Sequence, residues 1–307
     1  MRISVVSSLY NSAEFISELH RRLSETLKRI TDDYEIILVN DGSPDASLTV
    51  ALEIIKKGKS HLKLVDLSRN CGQHKALITG LKHATGDFVF MMDSDLEEEP
   101  EWIEQFWAKL QKYNGEVDVI YGVQSTRRGK LFERLSGRTF YKVFNLLSAV
   151  KVQNNPIPFR LMTKRYVDAL LQFKEQEVFF LGISLLAGFE QRSILVQKHT
   201  SSSTTYNIIK KIDQFINAIT SFSKRPLMFV FYLGAIISSL SFIFLLMILI
   251  QYLFFGVSVE GWTSLIVSIW LVGGIMIFCT GIIGIYLSKI FIEVKNRPYS
   301  IIKNIYE

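Results

Sequence analysis

The sequence predicts an α/β protein: a mostly parallel sheet flanked by helices, followed by two apolar helices long enough to cross a bilayer. Three observations predict it. Strand-like runs alternate with helical periodicity through the N-terminal third of the chain. Polar residues gather where each strand-like run ends. Two long stretches without a charged side chain follow near the C-terminus.

The first run, "ISVVSSLY", leads into the helical pattern "AEFISELHRRLSETLKRI". The opening apolar run is too short for a signal peptide and reads as a first strand. Next, "YEIILVNDGS" leads to "ASLTVALEIIKKG", and "LKLVDLS" to "HKALITGLKHA"; "DFVFMMDSD" then opens another unit, with "EWIEQFWAKL" helical behind it. The strand ends carry Tyr10 and Asn11, Asn40 and Asp41, Ser68 to Asn70, and Asp93 and Asp95. Ligands of open parallel sheets bind outside the carboxyl ends of the strands, so these clusters are expected to share one crevice. Neither G-x-G-x-x-G nor G-x-x-x-x-G-K-[ST] is present, which argues against a dinucleotide fold or a P-loop. The net charge of +6 is modest and no nucleic-acid partner is expected. The two cysteines, Cys71 and Cys279, lie in dissimilar surroundings, so neither a disulfide framework nor a zinc site is expected.

No charged residue occurs from Pro226 to Val259, nor from Gly261 to Ser288. About 20 apolar residues span a hydrocarbon core, so spans are expected at about 227–255 and 263–288. Lys210, Lys211, Lys224 and Arg225 precede the pair, Lys289, Lys295, Arg297 and Lys303 follow it, and the connection "GVSVEGW" has no Lys or Arg. The positive-inside rule then puts both termini in the cytoplasm. Gly284 and Ser288 form a small-xxx-small pattern suited to helix packing, either within one chain or between copies of a homo-oligomer. The expected organisation is a catalytic domain over 1–205, a juxtamembrane amphipathic helix over 206–225, the hairpin over 226–288 and a cytoplasmic tail over 289–307.

"DFVFMMDSDLEEEP" crowds Asp93, Asp95, Glu97, Glu98 and Glu99 at a strand end. Two like charges ~4 Å apart repel by about 1 kcal/mol in water and about 4 at an effective dielectric near 20. Such a cluster is either splayed into solvent or gathered on a cation. Glu98 and Glu99 read as solvated residues opening the next helix. Asp93 and Asp95, alternating about Ser94, offer hard oxygen ligands of the kind Mg²⁺ or Mn²⁺ takes.

Taken in order, "VVSSLYNSAEFI", "EIILVNDGSPDAS", "LSRNCGQHKALITGLKHATGDFVFMMDSDLEEEPEWI", "DVIYGVQSTRR", "FRLMTKRYVDALL" and "ITSFSKRPL", with the paired spans, resemble a family 2 glycosyltransferase of GT-A fold, Rossmann-like with a mostly parallel sheet. More narrowly, they resemble the polyprenyl-phosphate glycosyltransferases, which include the bactoprenol glucosyltransferases and dolichyl-phosphate mannose synthase. The resemblance covers nearly the whole chain. It implies inverting transfer of a sugar from a nucleotide-sugar donor, UDP-linked, to a polyprenyl phosphate such as undecaprenyl phosphate. The setting it implies is the cytoplasmic face of the inner membrane, in cell-surface polysaccharide or O-antigen (lipopolysaccharide) modification.

By the same resemblance Asp93 touches the donor or its metal-bound diphosphate, and Asp95 is the principal ligand of Mg²⁺ or Mn²⁺. Glu97 stands where many relatives have Gln and would also ligate. Leu9, Tyr10 and Asn11 match the motif lining the nucleotide, with Glu14 one of its acidic residues. Asp41 matches the carboxylate that binds the nucleoside, against the plainer reading of a turn residue before Gly42. Arg69, Asn70 and Gln73 match the segment near the donor. On the acceptor side, Arg127, Arg128, Arg134 and Arg138 surround an amphipathic helix over 126–150. It reads as a basic interfacial helix on anionic lipid, and the arginines, Arg127 and Arg138 foremost with Arg134, as a grip on the acceptor phosphate. Glu175 and Glu177 contact sugar or metal, or are surface charge.

The chain departs from its relatives at Pro158, where an Asp is common, at Gln124, and at His199, each of the latter two standing for Arg. These changes fall around the expected sugar and acceptor pocket. Two rivals remain: a processive polysaccharide synthase, which the missing Gln-x-x-Arg-Trp motif disfavours, and a silent membrane adaptor, which the intact carboxylates disfavour.

Overall fold

The computed structural model describes residues 1–58, 61–124, 156–176, 180–197, 220, 223–255 and 261–307. The expected interfacial helix over 126–150, with Arg127, Arg134 and Arg138, lies outside the described residues, as do Glu177, His199 and most of 206–225. The chain forms two units. One holds the described residues up to 197 together with Arg297–Glu307, and the other those from 220 to Asn296.

The first unit is built on an eight-stranded mixed sheet in the order β7-β5-β6-β4-β1-β2-β3-β8. Its strands are β1 (Ile3–Leu9), β2 (Tyr34–Asn40), β3 (Leu62–Leu67), β4 (Phe88–Asp93), β5 (Val119–Gln124), β6 (Pro156–Thr163), β7 (Gln191–Val196) and β8 (Ile302–Tyr306). β1 pairs in parallel with β2 and β4, and β2 with β3. The antiparallel neighbours are β3 with β8, β4 with β6, and β5 with β6. Every residue of β1 and β2 is buried, the serines of β1 and Glu35 and Asn40 of β2 included, as expected for strands covered on both faces. The helices are α1 (Ile16–Lys28), α2 (Ser47–Lys56), α3 (Gln73–Lys82), α4 (Trp102–Gln111), α5 (Lys164–Leu170) and α6 (Phe180–Leu186).

Two features hold the central strands in place. Phe90 of β4, Phe106 of α4 and Phe159 of β6 meet edge to face, with Phe159 4.4 Å from Phe90 and 4.9 Å from Phe106 between ring centroids. At the amino end of the strands, buried Glu35 accepts from the Ser4 hydroxyl at 2.6 Å, from the Thr85 N–H at 2.7 Å and from the Thr85 hydroxyl at 2.8 Å, with Arg2 at 3.3 Å. Burial pushes this carboxyl's pKa up, but the Ser4 and Thr85 bonds and the Arg2 charge outweigh it and hold it below the usual value.

The second unit contains α7 (Arg225–Phe255) and α8 (Trp262–Lys295), two helices long and apolar enough to cross a membrane. Large apolar side chains such as Phe231, Trp270 and Ile277 are exposed on them. Asn296, in the left-handed region at φ +42°, closes α8, and Pro298 follows. Part of the segment expected as a cytoplasmic tail is folded into the first unit. Ile302–Tyr306 forms the edge strand β8 of the first unit's sheet.

Candidate active site

The sheet register gathers the predicted polar clusters. Leu9 lies opposite Asn40, and Ser8 opposite Asp93, so the carboxyl ends of β1, β2 and β4 share one edge. β3 ends beside β2, with Asn40 opposite Asp66. The Asn40 amide donates to Asp66 at 2.7 Å and fixes the base of this edge.

Asp41 is the hinge of the arrangement. It is 2% exposed. Its Oδ1 accepts from the Cys71 N–H at 2.6 Å and its Oδ2 from the Gly72 N–H at 2.9 Å. Burial pushes the Asp41 pKa up, against the two main-chain N–H groups that favour its charge. The loop after β3, Ser68–Gln73, is thereby tied to the end of β2. Gly42 permits the contact: at φ +60°, a Cβ there would lie 2.5 Å from the Asn70 nitrogen. Arg69, Asn70 and Gln73 are exposed on this loop, and Gln73 Nε2 donates to Asp93 Oδ1 at 2.5 Å. Four predicted site residues, Asp41, Asn70, Gln73 and Asp93, thus belong to one connected piece.

The first loop is held by hydroxyls that the sequence reading missed. Ser43 and Ser47 accept from the N–H groups of Asn11 and Ser12 at 2.8 and 3.1 Å, and Asp45 accepts from Ala13 at 3.0 Å. Ser12 and Ser94 meet hydroxyl to hydroxyl at 2.8 Å, linking the first loop to the carboxylate turn. The available signal was "SPDAS", whose Asp45 accepts from the Ser47 N–H two residues on, in an Asx turn. Burial acts to raise the Asp45 pKa, but Ser43, Ser47 and the main-chain donors hold it well below the usual carboxylate range. Tyr10 is 50% exposed, and Asn11 is exposed with φ +53°. Glu14 is exposed in the turn before α1. Leu9 requires a correction as a lining side chain. It is fully buried in the core, and its contribution to the edge is a carbonyl that accepts from the Asp41 N–H at 3.0 Å.

In the carboxylate turn, Asp93, Asp95 and Glu97 are half-buried. Asp95 Oδ1 accepts from the Glu97 N–H at 3.0 Å, which leaves its second oxygen unused by the turn. Leu96 is left-handed at φ +56°, a strained setting for a leucine, and packs against the core. Glu98 is not the solvated helix-start residue the sequence suggested. It is fully buried and accepts from the Asp93 N–H at 3.3 Å. The neighbouring cation is Arg160 of β6, 2% exposed, whose field is felt from Glu98, Tyr166 and Tyr121. Burial lowers the Arg160 pKa, and those three groups oppose it.

Among the described residues, no three His, Cys, Asp or Glu side chains cluster as a ready-made metal cage. Mg²⁺ is usually bound by one or two carboxylates, with waters and substrate phosphates completing the shell. The exposed edge of Asp95 beside Asp93 fits that mode. A small cavity is lined by residues including His74, Leu77, Met91, Pro158, Arg160 and Phe180. Its wall is mostly apolar, and Arg160 lies 4.7 Å from the Phe180 ring centroid.

The glycosyl transferase family 2 model matches residues 4–171, more than half of the chain and all of the edge just described. The chain belongs to glycosyl transferase family 2. It is 42% identical over 306 residues to a putative glycosyltransferase of Mycobacterium tuberculosis, covering 100% of this chain and 89% of the relative. It is also 32% identical over 307 residues to the SfII prophage-derived bactoprenol glucosyl transferase of Shigella flexneri, covering 99% of this chain and 98% of the relative. The crystal structure of glucosyl-3-phosphoglycerate synthase from Mycobacterium tuberculosis, in complex with phosphoglyceric acid, superposes with a TM-score of 0.52. At 17% identity, with 72% of this chain and 79% of that one covered, this likeness speaks for the GT-A-like fold. The protein is a glycosyltransferase with a GT-A-like mixed sheet and two apolar C-terminal helices.

Proposed function

We propose that this glycosyltransferase moves one sugar, with inversion, from a UDP-linked donor to a polyprenyl phosphate at the cytoplasmic face of a membrane. The product would be a polyprenyl-phosphate sugar for cell-surface polysaccharide or O-antigen modification. The observation that carries the reading is the gathering of Asp93, Asp95 and the Asp41-held loop at one sheet edge. The full-length similarity to a bactoprenol glucosyl transferase supports the acceptor class.

In this reading the exposed Arg69 and Asn70 face the donor diphosphate, and the half-exposed Tyr10 with Asn11 forms a wall for the nucleoside. Asp41 acts through the loop it holds and through any oxygen lone pair left for the nucleoside. Bound Mg²⁺ or Mn²⁺ would neutralise the charge of the departing diphosphate. Asp95 and Asp93, with Glu97, would hold it. The nucleophile is a phosphate oxygen already ionised near neutral pH, so no strong general base is required of the chain. Arg127, Arg134 and Arg138 would hold that phosphate by charge-assisted bonds.

Chain topology and charge support this sidedness. The chain leaving α8 returns as β8 to the sheet it left before α7, so if the two helices cross a bilayer they cross it as a pair. The Lys and Arg residues on both flanks favour the cytoplasmic side for that sheet.

The test is incubation of the purified chain with undecaprenyl phosphate, Mg²⁺ or Mn²⁺ and a panel of nucleotide sugars, with lipid products identified by mass. A one-sugar lipid from one donor is expected. Polymer, or no lipid-linked sugar from any donor, would overturn the reading.

A further inference from the structure

The C-terminal strand does more than complete the sheet. β8 pairs with β3 through Leu64 with Tyr306, Val65 with Ile305, Asp66 with Asn304 and Leu67 with Ile302. The step from Asn304 to Ile302 leaves Lys303 as an extra residue, a bulge at the point where β3 gives way to the Ser68–Gln73 loop. The ladder does not stop there. The Ser68 N–H donates to the Ile301 carbonyl at 2.9 Å. Ser300 and Thr79 of α3 meet hydroxyl to hydroxyl at 2.8 Å. The Lys82 ammonium lies 4.6 Å from the Tyr299 ring centroid, and Lys63 pairs with Glu307 at 2.7 Å.

The start of the loop and the helix that follows it are therefore touched by the same segment. Ile301 holds its start through Ser68, and Ser300 holds the helix whose first residue, Gln73, reaches Asp93. From within the sheet the loop has a separate restraint, the two bonds to Asp41. We infer that Tyr299–Ile302 is a positioning strap for the donor loop: it sets the loop that presents Arg69, Asn70 and Gln73, so the chain beyond the second apolar helix is part of the donor site. This rests on the donor-site reading above. The strap touches no reacting atom. Its effect is expected on nucleotide binding and not on the acceptor.

The experiment uses the full chain in detergent, comparing wild type with Ile301→Pro, Ser300→Ala and Ser300→Thr. Three quantities are read: Kd for UDP by calorimetry, KM for undecaprenyl phosphate, and the alkylation rate of Cys71 by mass spectrometry, which separates it from Cys279. Ile301→Pro fixes φ at 301 and restricts Ser300 before it, which should loosen the strap beside Ser68 and speed Cys71 labelling. It should weaken UDP binding about three- to tenfold, with the acceptor KM unchanged. Ser300→Ala should shift UDP binding less, and Ser300→Thr should restore it. Unchanged Cys71 labelling would mean the strand does not hold the loop, and faster labelling with unchanged UDP affinity would mean the loop does not need it. Either result overturns the inference, as does an equal loss for donor and acceptor. If wild type binds neither UDP nor any other nucleoside diphosphate of the panel, the donor-site reading itself fails. Cys71 labelling still reports on the strap in that case.

Discussion

Asp41→Asn is a nearly isosteric change with a large expected effect. The carboxylate accepts two main-chain N–H bonds, at 2.6 and 2.9 Å, from a position 2% exposed. An amide retains one acceptor oxygen and turns an NH₂ toward the other N–H. One charge-assisted bond is lost, worth roughly 1.5–3 kcal/mol, and a buried N–H is left facing a donor, at roughly 1–3 kcal/mol. Removing a charge that burial disfavours returns part of this, consistent with the raised Asp41 pKa. A net loss of about 2–3 kcal/mol in the order of the Ser68–Gln73 loop is expected. If nucleotide binding requires that loop, UDP affinity falls roughly 30- to 150-fold. Calorimetric titration of UDP reads the affinity, and amide hydrogen exchange over 68–73 reads the loop. Wild-type UDP affinity with accelerated exchange would refute the link between loop order and donor binding. Unchanged exchange would refute the scaffold role of Asp41.

Asp95→Asn should abolish divalent-metal-dependent sugar transfer while leaving the melting temperature within a degree or two; full activity at low Mg²⁺ or Mn²⁺ would remove Asp95 from the metal site. Glu98→Gln should destabilise the protein by about 2 kcal/mol, because it removes the carboxylate near buried Arg160, and should lower the melting temperature by about 4–8 °C. An unchanged thermal unfolding curve would show that the charge there is dispensable. The Glu35 pKa is lowered in the folded protein, so its contribution to stability is present above the unfolded value and is lost as pH falls through the folded one. Acid denaturation profiles should show wild type losing its advantage over Glu35→Gln below about pH 4; parallel profiles at all pH values would contradict this.

The parallel core was legible because its strands are buried on both faces and end in polar residues, so β1 to β4 and the edge they share follow from the runs themselves. Asp41 was legible as a strand-end carboxylate, but its partners were not. The Cys71 and Gly72 N–H groups come from a loop 30 residues on, and only the crossing of two chain segments brings them together. The strap was hidden for a related reason. "IKNIY" is short and largely exposed, and it is a strand because β3 offers an edge, not because its residues demand one. Glu98 was hidden differently, because composition cannot tell which member of an acidic run turns inward. Asp93, Asp95 and Glu97 stay half-buried, whereas Ser94 and Glu98 are buried and Leu96 between them is half-buried against the core. Leu96 is left-handed at φ +56°, so the strand's period of two breaks there, and Glu98 turns inward to the Asp93 N–H and the field of Arg160. The carboxylates that stay at the edge and the one turned to Arg160 are parted by that turn, which residue spacing alone does not show.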